Sequence, residues 1–181
     1  VNNPLTGELA PITRIGGGEV RVDRAVAAPA AAWDNEVPQG ALSFGFVDVA
    51  QNTVTVTKQV RVRNYSNQRR SYDIKPSFRF ANDVANGAVS VSAPARVVIG
   101  PGLGSDTVFD VSLTINGALL RGNFMNSGSA GADPSTLTTN EYDGYLVLDD
   151  GSHAIHLAWH VLPRKAAQLV PKIAEKVHII A

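Results

Sequence analysis

The chain has 181 residues, 44% of them hydrophobic, with 16 Lys plus Arg against 16 Asp plus Glu and no cysteine. That length suits one domain with an appendage, and the apolar fraction is enough for a sizeable core. Formal neutrality argues against a dedicated nucleic-acid binder, and the missing cysteine excludes disulfide frameworks, zinc ribbons and thiol catalysis.

No apolar run approaches the roughly 18 residues needed to span a bilayer, and no signal-peptide pattern opens the chain. The first residue is Val1 rather than Met, which leads us to expect a fragment of a longer protein. Residues 1–15 read as irregular, punctuated by Pro4, Gly7 and Pro11. Gly16, Gly17 and Gly18 then lead into a helix-like segment, residues 16–26. Val20, Val22, Ala25 and Val26 give it an apolar face, while Arg21, Asp23 and Arg24 are left to solvent. Pro29 ends any helix there, and residues 27–40 read as an Ala/Pro linker closing on a turn.

From residue 41 the apolar period becomes two. ALSFGFVDV places Leu42, Phe44 and Phe46 on one face. In TVTVTKQVRVRN, Val54, Val56, Val60 and Val62 share a parity interrupted only by Lys58, which puts Thr55, Thr57, Arg61 and Arg63 outside. SYDIKPSFRF is a strand broken by Pro76, as at an edge or a bulge. ANDVANG reads as a turn, and two short strands follow on either side of Pro94. DTVFDVSLTI sets Phe109, Val111, Leu113 and Ile115 against Val108, Asp110, Ser112 and Thr114. The stretch 116–140 is a long Gly/Ser/Asn-rich loop, of a length that tends to be functional or disordered. EYDGYLVLDDGSHAIHLAWHVLP is a hairpin turning at Asp150–Gly151. Seven or eight strands with no long helix between them predict an all-β, antiparallel β-sandwich preceded by a short helical segment.

Several clusters test for chemistry. His153, His156 and His160 lie close in sequence, but on a strand only His156 and His160 share a face, about 13 Å apart, too far for one ion. SGSAG (Ser127, Ser129) lacks the strand and helix that a nucleophile elbow needs. GPGLG (100–104) has no following helix and no Walker lysine, so it reads as a turn. Asp133, Glu141, Asp143, Asp149 and Asp150 would hold calcium only if their loops converged, and their spacing is not that of an EF-hand. Arg61, Arg63, Arg69 and Arg70, interleaved with Tyr65 and Tyr72, read as a solvated sheet face. Asn64-Tyr65-Ser66 fits the glycosylation sequon. No catalytic, cofactor-binding or metal-binding residue is assigned, and no cofactor.

GGGEVRVDRAV, with Gly16, Gly18, Val20, Asp23, Ala25 and Val26, resembles the glycine turn and final helix of the catalytic domain of subtilisin-like serine proteases, G-x-G-x-V-(N/D)-x-x-x-A, with one residue's slack. The strands through VSVSAP and the closing EYDGYLVL…IHLAWHVLPRK resemble the fibronectin-III-like sandwich that follows that domain in large secreted members. The resemblance covers roughly residues 12–165. It implies a remnant of the catalytic domain plus linker at 1–32, a sandwich at 33–165, and a tail or linker to a further region at 166–181. The family's D-(S/T)-G, H-G-T-H and G-T-S-M-A-x-P motifs are absent, so the piece is expected to be inactive although its parent is a serine endopeptidase. The implied role is an extracellular or cell-surface accessory module that stabilises the protease or positions a protein substrate. Its partner is then its own catalytic domain, with no nucleic acid and no membrane-spanning segment. The competing expectation is a stand-alone adhesive or carbohydrate-binding sandwich.

Overall fold

A computed structural model describes residues 9–50, 52–121 and 141–165. Three short helices, α1 (Ile12–Ile15), α2 (Val22–Ala27) and α3 (Ala81–Asn86), accompany nine strands among these residues. The strands are β1 (Ala30–Asp34), β2 (Ala41–Val49), β3 (Thr53–Asn64), β4 (Arg70–Phe78), β5 (Val89–Ser92), β6 (Arg96–Ile99), β7 (Ser105–Asn116), β8 (Tyr142–Asp149) and β9 (Ala154–Lys165). One sheet has the order β1-β3-β7-β5 and the other β2-β9-β8-β4-β6. The protein is an all-β sandwich. Every pairing is antiparallel except that of β2 with β9, which is parallel and makes the second sheet mixed.

Period two explains the core. Val60 and Val62 are fully buried and Val54 and Val56 pack against the cluster, while Thr55 and Thr57 face solvent. Lys58, the interruption in that valine row, reaches the buried Asp34 at 2.7 Å. Phe109, Val111, Leu113 and Ile115 fill the same layer from β7. Trp159 of β9 lies at its centre, edge-on to Phe78 at 5.0 Å, its Nε1 donating to the Ser77 carbonyl at 3.2 Å. Pro76 sits where β4 has lost its β6 neighbour: β6 pairs only with residues 70–73, and the last N–H given to that side is that of Ile74. The missing donor is therefore harmless.

Four expectations need correction. The stretch 27–40, read as linker, carries β1, which pairs with β3 from Ala30↔Asn64 to Asp34↔Val60. The sandwich therefore begins at residue 30, inside the stretch 1–32. Phe46 is 52% exposed rather than buried with Leu42 and Phe44. Gly45 takes φ +68 and the register slips between Ser43 and Phe46, so Val47 and Val49 turn inward instead. ANDVANG is a one-turn helix ending on Gly87 rather than a plain turn. The irregular 1–15 stretch contains α1. The turn at Asp150–Gly151 spans four residues, 150–153, knotted by the Ser152 and His153 amides donating to Asp150 Oδ1.

Candidate functional site

The candidate site is the N-terminal arm, residues 9–29, and its seat on the sandwich. The seat is the outer face of β8 and β9. There the Ile12 N–H donates to Asp143 Oδ2 at 2.6 Å, across 131 residues of chain. Arg79 Nη1 donates to the same oxygen at 3.0 Å, and the ion pair is almost wholly buried. Thr13 Oγ1 donates to Glu141 Oε1 beside it. Gly17 passes so close to the sheet that a Cβ there would lie 3.2 Å from Ala158 Cβ. That contact buries Ala158 although it stands on the outward parity of β9.

The surroundings of this clasp are crowded with carboxylates. Glu141 and Asp83 are both buried. Burial pushes the Asp83 carboxyl up to about 6, with Arg121 opposing the rise and Asp143 adding to it. Burial likewise raises Glu141, with Arg14 pulling the other way. Asn86 Nδ2 ties α3 to the same corner through the Tyr142 hydroxyl at 3.0 Å.

Beyond the clasp the arm turns over. Gly16 (φ +77) and Gly18 (φ +138) adopt backbone conformations closed to other residues, and α2 follows. α2 has no buried residue. Val22 and Val26 stand one turn apart and are 65% and 84% exposed, with Val20 83% exposed beside them. Arg24 lies about 200° round the helix from both valines and, itself exposed, lines a cavity with residues 27–30. All of α2 is exposed, its two valines as well as Asp23 and Arg24. An ordinary surface helix covers its apolar stripe.

The sequence candidates disperse. His153 lies 3.7 Å from Asp150 in the β8–β9 turn. His156 packs on the Tyr145 ring, and His160 meets the Ser43 hydroxyl at 3.1 Å. Burial holds His160 below the ordinary histidine range. Glu141 and Asp143 lie at one end of β8 and Asp149 and Asp150 at the other, about 20 Å away. Among the described residues no three His, Asp or Glu side chains converge as metal ligands would. Asp133, Ser127 and Ser129 lie outside the described residues. The basic group splits up: Arg61 and Arg63 grip Asp106 at 2.8 and 2.7 Å, while Arg70 reaches Asp150 at 3.2 Å. Their pull holds Asp106 well below the usual carboxylate range. Tyr72 is not on that face at all but in the core.

The sequon fails for a definite reason. Asn64 is fully buried, and its Nδ2 donates to the carbonyls of Gln68 (2.6 Å) and Gly100 (2.8 Å). It is a brace between two turns, with no free amide to carry a sugar. The 100–104 glycine loop is the other half of that brace, since the Gly104 N–H donates to the Asn64 carbonyl. Aromatic surfaces are partly covered: Arg164 stacks 4.4 Å from the Phe46 ring, and Arg63 lies 5.4 Å from that of Trp33.

Neither a family model nor a curated protein matches the chain. Several solved structures do. The CooA pilin subunit from enterotoxigenic Escherichia coli aligns at 11% identity and TM-score 0.46, covering 77% of this chain and 100% of that one. A FixG-related protein from Vibrio parahaemolyticus aligns at 15% identity and TM-score 0.43, covering 76% and 98%. A PapD-like domain of human CEP192 aligns at 11% identity and TM-score 0.39, covering 77% and 87%. Likenesses this distant carry no argument about function.

The sequence flagged the valine face but gave no sign of the clasp. In the sequence Glu141 and Asp143 are only members of an acidic group, and no local pattern links them to Ile12. The one available signal was an acidic pair opening a strand whose later positions are apolar.

Proposed function

We propose that the chain is a non-catalytic β-sandwich module of a secreted subtilisin-like serine endopeptidase, with the catalytic domain seated on the valine face of α2. The single observation that supports this most is the uncovered valine stripe of the arm: Val20 before α2, and Val22 and Val26 on it, all exposed. A helix that belonged to the sandwich alone would lower its free energy by turning those valines onto it. A helix completing a neighbouring body presents them as they are. The resemblance of residues 16–26 to the last turn and helix of a subtilisin-like core names that body. In this role the clasp fixes where the core ends and the sandwich begins. The sandwich is then a rigid extracellular element that stabilises the protease or positions a protein substrate.

The test is the coding sequence upstream of Val1, followed by expression of the longer chain. The longer chain should contain the aspartate, histidine and serine motifs, hydrolyse casein and label with a fluorophosphonate. Residues 1–181 alone should do neither. An upstream region lacking the three motifs would overturn the reading, as would labelling of Ser127 or Ser129 in the short chain that vanishes on mutation to Ala.

A further inference from the structure

A cavity of about 360 Å³ opens between the end of the arm and the β8–β9 turn. Its inner wall is apolar, formed by residues 27–30, Ile155 and Tyr72. Its mouth is polar: Arg24 on one side, Ser152, His153 and His156 on the other, with no Asp or Glu in the lining, although His153 Nδ1 lies 3.7 Å from Asp150 behind it. In a chain with equal numbers of acidic and basic residues, such a wall is a local excess of donors. Arg24 makes no ion pair among the described residues, whereas Arg21 beside it is paired with Asp23. The nearest carboxylate behind the wall, Asp150, is already held by Arg70 at 3.2 Å and by two backbone amides. The Tyr72 hydroxyl at the inner end is buried, and burial first, then the neighbouring Asp150 carboxylate, raise its pKa. An incoming anion is therefore attracted to the mouth and not to the floor.

We infer that this cavity binds a carboxylate carried on a small aliphatic body, the body inward against Pro29 and Ile155 and the carboxylate at the mouth between Arg24 and the Ser152–His156 side. The volume falls at the lower end of small-ligand sites, and the combination of an apolar wall with a few convergent donors is the usual composition of one. Arginine is the donor best matched to a carboxylate, because its planar fork presents two parallel N–H groups. A free short-chain acid and the C-terminal end of a peptide share this chemistry. The inference does not depend on a catalytic domain being attached, so it stands or falls apart from the proposed function.

The experiment is a titration of residues 1–181 with 4-methylpentanoate, N-acetyl-alanyl-leucine and the amide of that dipeptide, followed by backbone-amide NMR shifts. The acids should move the amides of Ala28, Ser152 and Ile155, with a Kd on the order of millimolar. The amide should bind at least about tenfold more weakly, the loss expected for a charge-assisted pair. Tighter binding of the dipeptide acid names a peptide end as the ligand, and tighter or equal binding of 4-methylpentanoate names a free acid. Arg24→Gln, on an exposed helix position, should weaken both acids by a similar factor while leaving the spectrum folded. Ala27→Trp at the mouth should block them. Equal affinity for acid and amide, indifference to Arg24→Gln, or no shifts at about 50 mM acid, some ten times the expected Kd, would each overturn the assignment.

Discussion

Asp143 joins three parts of the chain at one carboxylate: β8, which carries it, Arg79 after β4, and Ile12 of the arm. Removing it leaves the Arg79 charge buried and unpaired, so Asp143→Ala should cost about 3–5 kcal/mol in urea unfolding. Asp143→Asn can still accept from the Ile12 N–H and should fall between the wild type and Ala. A loss under about 1 kcal/mol for Ala would mean the pair is dispensable. Asp83 in the same corner makes a pH prediction. Its carboxyl is raised from 3.8 to about 6 by burial, so the folded state holds its proton more tightly than the unfolded chain. That stability is fully present below 3.8 and is lost as pH rises through 6. Moving from pH 8 to pH 5 should therefore add on the order of 1 kcal/mol, a Tm rise of about 2–4 °C. Glu141 works in the same direction and His160 against it, so the useful quantity is the difference from Asp83→Asn, whose profile should be flatter. Identical profiles for the two chains would refute the assignment.

Elements with strong alternation could be read from the sequence directly. β3 and β7 are long, β-branched and half-buried, and their inward residues are the ones the pattern picks out. β1 could not be found that way. AAAWD has weak strand propensity, and its conformation comes from pairing with β3, which no local signal encodes. α1, at four residues, is too short to show a period. β2 departs from its alternation beyond its midpoint because of the glycine inside the strand. That glycine is the warning of a bulge. Gly45 has open space around its Cβ position, so substitution there tests backbone conformation alone. Gly45→Val should cost about 1–2 kcal/mol and Gly45→Asn distinctly less, since Asn tolerates the left-handed region. Equal losses in thermal melts would point to packing, against the geometry seen here.

At the scale of the whole molecule, the sandwich was legible in the sequence and the seat of the arm was not, because Ile12 and Asp143 are related only through the finished fold. The valine face of α2 was visible in sequence as a stripe, but its outward direction was not. In residues 1–181, Val22→Asp with Val26→Asp should change stability by less than about 0.5 kcal/mol, since neither valine is buried. In the longer chain the same pair should lower Tm by several degrees if a neighbouring body covers them. No change in the longer chain would leave the face without the occupant proposed for it.

The clasp also has a mechanical meaning. The arm is fastened at Ile12 by its hydrogen bond to Asp143, with Thr13 bonded to Glu141 beside it, and again at Ala30 by the β1–β3 ladder, with α2 looped out between the two fastenings. Tension arriving from the N-terminal side is carried first by a side-chain contact, and reaches the ladder only after that contact yields. Single-molecule pulling from residue 1 should show an early, low-force step releasing at most about 60–65 Å, the extended length of the eighteen or so residues held between the fastenings. Asp143→Ala should erase that step and leave the main unfolding event in place. A single step in both chains would mean that the load falls on the sandwich from the start.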